Sequence, residues 1–184
     1  MSDIDTLIDG LDDNQAYYDP NQSSSPKKPI EPGTYEATVQ SLSIKRDITV
    51  KGKYLSDIFE ATYFIDDSNH PALKNRQVKS KGYFRFKMPD ATKYPNLEDN
   101  AGQNKGYMIF CEACGFDIPK NDEGKYVLPM ISEGDIAGNP VTIKIENDKW
   151  VNREGEDMLT PVAINVFKSQ RVVEKPMTKD ELPF

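Results

Sequence analysis

The sequence contains few of the residues that most often build catalytic and metal sites. It has one histidine, two cysteines and one tryptophan among 184 residues. A nucleophile paired with a general base cannot be assembled around the single histidine, His70. No glycine-rich phosphate loop of the Walker type occurs, and the acidic residues lack a spacing that marks a metal nuclease. We therefore find no positive case for an enzyme and predict no cofactor.

The two cysteines form a Cys-x-x-Cys motif, Cys111-Glu112-Ala113-Cys114. A structural zinc site needs four ligands, and the sequence has no second cysteine pair to complete one. The motif also lies within a predicted helix rather than at a helix start, where a thiolate would be stabilised. We predict that both thiols pack as small apolar side chains and bind no metal.

Long hydrophobic runs are also missing. Hydrophobic residues make up 37% of the chain, and no run of about 18 apolar residues predicts a membrane-spanning helix. The first residues, Met1 to Asp5, are acidic and lack the apolar segment of a signal peptide. Two cysteines without an export signal indicate a reducing cytoplasm.

Charge is distributed unevenly along the chain. The net charge of −7 at first argues against a nucleic-acid partner. Residues 1–32 hold seven acids and two lysines, whereas residues 45–87 hold ten Lys or Arg against five acids. One segment is thus cationic within an acidic protein, which is the pattern expected of a localised anion-binding surface.

Composition divides the chain into three parts. Residues 1–31 form an acidic arm rich in Ser and Pro, interpreted either as a disordered solubilising segment or as a helix that binds a partner or another copy of the chain. Residues 32–169 contain the alternating patterns of a folded domain, and residues 170–184 form an unpatterned tail.

Five strands are predicted in the domain. They are Thr34–Ile44 with a bulge between Val39 and Leu42, Leu55–Ile65, Gln77–Lys87, Val141–Ile145 and Pro161–Val166. A helix over Lys105–Cys114, ended by Gly115, separates the third strand from the fourth. This order predicts a mainly β fold, a five-stranded OB-type Greek-key barrel with one helix between strands 3 and 4. Another small β-barrel or sandwich is the alternative.

The buried faces follow from the alternation. We predict that the second strand buries Phe59, Ala61, Tyr63 and Ile65, and that the last two strands bury two apolar sets. These sets are Val141, Ile143 and Ile145, and Val162, Ile164 and Val166. In the helix, Tyr107, Cys114 and either Ile109 or Phe110 are expected to face inward.

The third strand carries the most informative pattern. Strict alternation places Val78, Ser80, Gly82, Phe84 and Phe86 on one face, and on the other face Lys79, Lys81, Tyr83, Arg85 and Lys87. The cations then recur at steps of about 6–7 Å, close to the phosphate repeat of an extended single strand. Tyr83 offers a ring for base stacking. A solvated strand face is the alternative interpretation.

Other candidate DNA-binding residues lie in the predicted loops. The loop before the second strand adds Lys45, Arg46, Lys51, Lys53 and Tyr54. The loop between the fourth and fifth strands adds Lys149, Trp150 and Arg153. Trp150 is either a lid over the core or a second stacking platform, and the same two interpretations stay open for Tyr54.

The chain ends on a short acidic and apolar tip, Asp180-Glu181-Leu182-Pro183-Phe184. Its two acids, apolar Leu, φ-restricted Pro and terminal Phe suit capture by a partner that has an apolar pocket beside a cation. We expect this tip to bind protein partners, and its negative charge also lets it compete for a basic groove when DNA is absent.

Three short segments and the tip follow one another in a characteristic order: Pro32–Ala37, Cys114–Pro119, Gly134–Val141 and the tip. In this order they resemble phage single-stranded-DNA-binding proteins, and the resemblance covers about residues 32–168 in addition to the tip. It implies sequence-independent coating of single-stranded DNA in replication, recombination or repair, in the cytoplasm of an infected bacterial cell. It also implies recruitment of replication or recombination proteins by the tip, and possible self-association on DNA.

Two other functions fit the same residues. A β-barrel adaptor could use the acidic arms to bind host or phage proteins without nucleic acid. A single-stranded-RNA-binding protein could use the same barrel face, because an OB surface does not by itself distinguish the sugar.

Overall fold

The computed structural model of the protein describes residues 28–171. It contains six strands, two α-helices and one 3-10 turn: β1 Gly33–Val50, β2 Tyr54–Ile65, the turn Pro71–Leu73, β3 Gln77–Ser80, β4 Tyr83–Lys87, α1 Lys105–Ala113, α2 Glu133–Ile136, β5 Pro140–Val151 and β6 Asp157–Lys168. The predicted tip at 180–184 and most of the N-terminal arm lie outside the described residues. No helix within 28–171 has the length and apolarity needed to cross a membrane.

The strands close into a barrel. β1 pairs antiparallel with β2 and with β5, β2 pairs with β3, and β5 pairs with β6. A short parallel pairing of β3 with β6, Lys79 opposite Val162 and Ser80 opposite Ala163, completes the ring. Counting β3 and β4 as one interrupted strand, this is the strand order of an OB-type Greek-key barrel. The predicted fold class is confirmed, including α1 between the third and fourth strands of that count.

The barrel core is built from alternate residues of its longest strands. In β2 the inward residues are Phe59, Ala61, Tyr63 and Ile65, as predicted, and Val141, Ile143 and Ile145 of β5 are equally buried. β1 changes register between Val39 and Ser41, at the predicted bulge, so that its buried face resumes at Leu42. Complete burial of each large apolar side chain stabilises the fold by about 1.5–3 kcal/mol.

Helix α1 covers one opening of the barrel. Its buried residues include Tyr107, Phe110 and Cys111, whereas Ile109 is exposed, so Phe110 is the inward residue of the predicted pair. The helix ends in a Schellman motif, in which the Gly115 amide donates to Glu112 and the Phe116 amide donates to Cys111. Gly115 adopts the positive φ of 97° that this motif requires, as predicted.

The last two strands are longer than predicted. Residues 147–151 of β5 and 157–161 of β6 continue to pair beyond the barrel, as an exposed two-stranded ribbon. The predicted fifth strand corresponds to β6. Its predicted inward face is partly wrong, because Ala163 is buried and Val162 and Ile164 are not. A register shift after Lys144 moves the inward position by one residue and explains the change.

The packed region extends slightly beyond the predicted limits of the domain. Ile30, which the prediction placed in the arm, is 5% exposed and belongs to the core. At the other end Arg171 forms ion pairs with Glu36 at 3.2 Å and Asp66 at 2.7 Å. Both contacts lie on the barrel, so the described chain is anchored on each side of the predicted 32–169 boundary.

Candidate nucleic-acid interface

The predicted third strand is interrupted at Lys81-Gly82, and the interruption inverts its faces. Gly82 adopts a φ of 96°, and a Cβ atom there would lie 2.9 Å from Ile58 Cγ2, so only glycine fits without displacement of that side chain. In β4, Tyr83 lies opposite the buried Phe59, and Phe84 lies opposite the outward Ile58. The prediction of one continuous face with four cations and Tyr83 is therefore wrong.

Tyr83 is part of the core rather than an open platform. Its ring stacks on Phe110 with centroids 4.1 Å apart and planes within 6°. Its hydroxyl hydrogen-bonds to the Tyr63 hydroxyl at 2.8 Å. Burial raises the pKa of Tyr83 well above the ordinary tyrosine value, so the phenol stays neutral.

Three of the predicted DNA-binding cations converge instead on the buried Asp57, whose side chain is 1% exposed. Lys87 Nζ lies 2.7 Å from Asp57 Oδ1, and the Asp57 Oδ2 atom lies 3.5 Å from Arg46 Nη1 and 3.9 Å from Arg85 Nη1. Although burial alone would lower the pKa of Lys87, its hydrogen bonds to Asp47 and Asp57 raise that pKa. These cations neutralise a buried carboxylate and stabilise one end of the barrel.

The outer face of β2 and β4 carries a row of aromatic rings. Tyr54 and Phe86 meet edge to face with centroids 6.1 Å apart. Phe86 and Phe84 also lie 6.1 Å apart, with their planes within 14° of each other. Phe84 is 37% exposed. The aromatic row, Tyr54, Phe84 and Phe86, therefore presents two nearly parallel ring planes on the barrel surface.

An uninterrupted strand would put Phe84 and Phe86 on the face of Val78, which is buried. The available signal was Gly82, since an isolated glycine in a strand pattern often marks a bulge or a close backbone approach. Of the predicted aromatic residues, Tyr54 is the one that the structure places in the row.

Cations lie on two sides of the aromatic row. Lys51 and Lys53 are exposed in the β1–β2 turn, next to Tyr54, and Lys79 is exposed on β3. Lys45 pairs with Glu60 at 2.9 Å, and Lys81 pairs with Asp148 at 3.2 Å. Both pairs are exposed, and such surface pairs are weak enough for phosphate to replace the carboxylate. We call Lys45, Lys51, Lys53, Lys79 and Lys81 the outer cations.

The β5–β6 ribbon extends from the same side of the barrel. Trp150 is 48% exposed and lies in β5 rather than in a loop, which excludes the interpretation as a lid over the core. Its Nε1 donates to Thr160 Oγ1 at 2.8 Å. Alternation puts Trp150 on the face of Asp148, the partner of Lys81, and Lys149 on the opposite face. Arg153 lies in the turn that closes the ribbon.

The remaining candidates lie away from this surface. Cys111 and Cys114 are buried in the core, and burial raises the pKa of the Cys111 thiol to about 11 and that of Cys114 to about 12. Protonated, buried thiols match the predicted packing role. Within the range 28–171, no three His, Cys, Asp or Glu side chains cluster in a way that could hold a metal ion. His70 lies in a loop and contacts Asp67 and Tyr35.

No family model matches this chain, and a search of curated proteins found no significant match. The strand order therefore defines the class of protein, which is a closed OB-type β-barrel. The geometry of the outer face is the basis for proposing a function.

Proposed function

We propose that the protein binds single-stranded DNA without sequence preference. The observation that carries the proposal is the aromatic row on the β2–β4 face, flanked by the outer cations. In OB-type barrels the face of the second and third strands, between two hairpin loops, holds oligonucleotides. Here those hairpins are the Lys51–Lys53 turn and the β5–β6 ribbon.

The binding mechanism combines stacking with phosphate neutralisation. Bases of an extended strand stack on Phe84, Phe86 and Tyr54, which contributes about 1–3 kcal/mol per base and tolerates any sequence. Lys51 and Lys53 meet the phosphates on one side of the row, and Lys79 and Lys81 meet them on the other. Duplex DNA hides its base faces and binds less well.

A coating protein of this kind serves DNA replication, recombination or repair. The resemblance of residues 32–168 to phage single-stranded-DNA-binding proteins supports this role, in the cytoplasm of an infected bacterial cell. The tip at 180–184 recruits replication or recombination proteins through its Leu-Pro-Phe end, and copies of the protein can associate along one strand. In this proposal the protein has no catalytic activity.

A titration of intrinsic fluorescence tests the proposal directly. The chain has one tryptophan, Trp150, so the indole signal reports on the ribbon beside the proposed path. We expect tight, salt-sensitive quenching by single-stranded DNA and much weaker binding of duplex DNA. Equal or tighter binding of RNA would identify an RNA-binding protein. Absence of binding to any of the three at low salt, in a fluorescence anisotropy assay as well, would overturn the proposal in favour of the adaptor.

Replacing Lys79 and Lys81 with alanine is expected to reduce the salt dependence of binding. Single-stranded complexes lose about 0.7 units of log–log salt slope per phosphate contact removed, so the slope should become shallower by about 1.4. The measurement is anisotropy of a labelled oligomer over a series of salt concentrations.

A matched control removes the same charge elsewhere. Lys74 lines a groove with Asp66 and Asp67, and Lys168 lines another with Phe116 and Phe167, so neither groove contains the aromatic row, and their double alanine variant should keep the wild-type slope. An unchanged slope in the Lys79 and Lys81 variant would place the phosphate path on another surface.

Deleting residues 180–184 is expected to tighten DNA binding at low salt. The tip carries two acids, Asp180 and Glu181, which compete with phosphates for the outer cations. The gain should disappear at high salt, where this competition is screened. A charge-matched control replaces only Leu182 and Phe184 with alanine and keeps the acids. Unchanged affinity of the deletion at low salt would contradict competition by the tip.

A further inference from the structure

A neutral groove opens beside the aromatic row, between β4, α1 and β6. Its volume is about 300 Å³. Its walls are formed by Tyr83, Phe84 and Phe86 of β4, Gly106 and Ile109 of α1, and residues 164–166 of β6, with Gln103 at one end. Among residues 28–171, no charged side chain lines it. A planar, uncharged ligand is therefore a better match than a phosphate or a charged peptide.

The backbone of β4 offers one unpaired donor and acceptor to this groove. β4 is the last strand of the sheet and pairs only with β2. The Phe86 amide donates to Asn104 Oδ1, and its carbonyl accepts from Asn104 Nδ2, so both Phe86 groups point away from β2. Residues two apart share this orientation in an antiparallel pair, so the amide and carbonyl of Phe84 also point away from β2.

The free edge is too short for a peptide strand. Asn104 already occupies the Phe86 groups, which leaves Phe84 as the one residue of this edge whose backbone groups lack a partner in residues 28–171. Strand addition needs several successive backbone hydrogen bonds. One adjacent donor and acceptor instead match the hydrogen-bonding edge of a single nucleobase.

Two side-chain amides add to this match. Gln103 and Asn165 are exposed at the groove, and each amide can donate and accept at once. Phe84 and Phe86 supply the nearly parallel ring planes beside it. Lys81, in the interruption before β4, directly precedes Gly82, which also lines the groove.

We propose that this groove takes one unstacked nucleobase of the bound single strand and contacts its Watson–Crick edge. The inference rests on the proposed function and deepens it. In a duplex that edge is paired, so the groove selects single strands over duplex DNA. The Phe84 backbone and the Gln103 and Asn165 amides form hydrogen bonds with this edge of the base, while the sugar-phosphate backbone passes Lys81.

Gly106→Leu tests the groove without altering the aromatic row. A Cβ atom at Gly106 meets nothing within 4 Å, and leucine favours helix more than glycine does, so the variant is expected to fold. Its side chain would fill the groove. Gly102→Leu is the matched control, because a Cβ atom there also meets nothing within 4 Å and Gly102 lines a different groove, with Tyr126 and Leu128.

The measurement compares an oligothymidine with an abasic oligomer of the same length. We expect wild type and Gly102→Leu to prefer the oligothymidine, and Gly106→Leu to lose about tenfold of that preference, the effect of about one stacked base. Affinity for the abasic oligomer should not change. An unchanged preference in folded Gly106→Leu would contradict binding of a base in the groove and would leave the proposed function intact. Absence of single-strand binding by wild type overturns both.

Discussion

Replacing Phe84 and Phe86 with alanine together is expected to lower the affinity for single-stranded DNA about 100-fold, which corresponds to about 2.7 kcal/mol. Each ring is a stacking surface for one base, and no other described ring lies as near parallel to either of them on this face. The double variant keeps the cations, so its salt slope should remain that of wild type. Anisotropy of a labelled oligomer measures both quantities.

The fold should survive this double replacement. Phe84 is 37% exposed and Phe86 half-buried, and both lie outside the buried core cluster. Phe167→Ala is the matched control, because that ring is also exposed but lies on β6, beside Phe116 and Ile118 in another groove. It should leave DNA affinity unchanged. Wild-type affinity in the folded Phe84 and Phe86 variant would exclude the β2–β4 face as the binding surface.

The barrel could be predicted from the sequence because most of its strands have one buried face. In β2 the alternate residues Phe59, Ala61, Tyr63 and Ile65 form one apolar face, although Ile58 and Phe64 are apolar and face outward. In β5 Val141, Ile143 and Ile145 form another, and a shift by one residue would move either set to solvent. Even the β1 bulge was visible, since the apolar positions change parity between Val39 and Leu42. Such patterns are local in the sequence, so they can be recognised without knowledge of the tertiary packing.

The candidate site could be predicted only in part, because the faces of the third strand depend on a tertiary contact. The sequence of residues 78–86 can be interpreted as one strand whose side chains alternate between two faces. In the structure, Gly82 turns the chain where its backbone approaches Ile58. After this turn, Tyr83 reaches Phe110 on α1, a residue 27 positions later in the chain. Lys79 and Lys81, before the turn, remained on the predicted outer surface.

One acid, Asp57, decides which cations are free to bind DNA and which stabilise the fold. Asp57 occupies an inward position two residues before Phe59, so the alternation of β2 already indicates a buried carboxylate. A buried carboxylate needs compensating charge. Arg46, Arg85 and Lys87 supply it and are therefore engaged in the fold. Arg85 and Lys87 belong to the predicted cationic face of the third strand, and their position in the sequence does not reveal that they pair with Asp57.

Replacing Asp57 with alanine is expected to destabilise the protein by about 1–3 kcal/mol, because the partly buried Arg85 and Lys87 lose a carboxylate partner, although Lys87 keeps Asp47 at 2.6 Å. The Asp47 amide, which donates to Asp57 Oδ1 at 3.1 Å, also loses its acceptor. A single domain is stable by only about 5–15 kcal/mol, so the loss should be evident in urea denaturation.

Asp148→Ala is the matched control for Asp57→Ala, because it also removes one carboxylate beside a cation. It shows whether loss of a carboxylate alone lowers stability. Asp148 is exposed and pairs only with Lys81 among the described residues, so its loss should change stability little. It also frees Lys81 for phosphate and should tighten DNA binding, whereas folded Asp57→Ala should bind DNA as wild type does. Equal stability of the two variants would mean that Arg46, Arg85 and Lys87 are not held by Asp57, and would return them to the candidates for DNA contact.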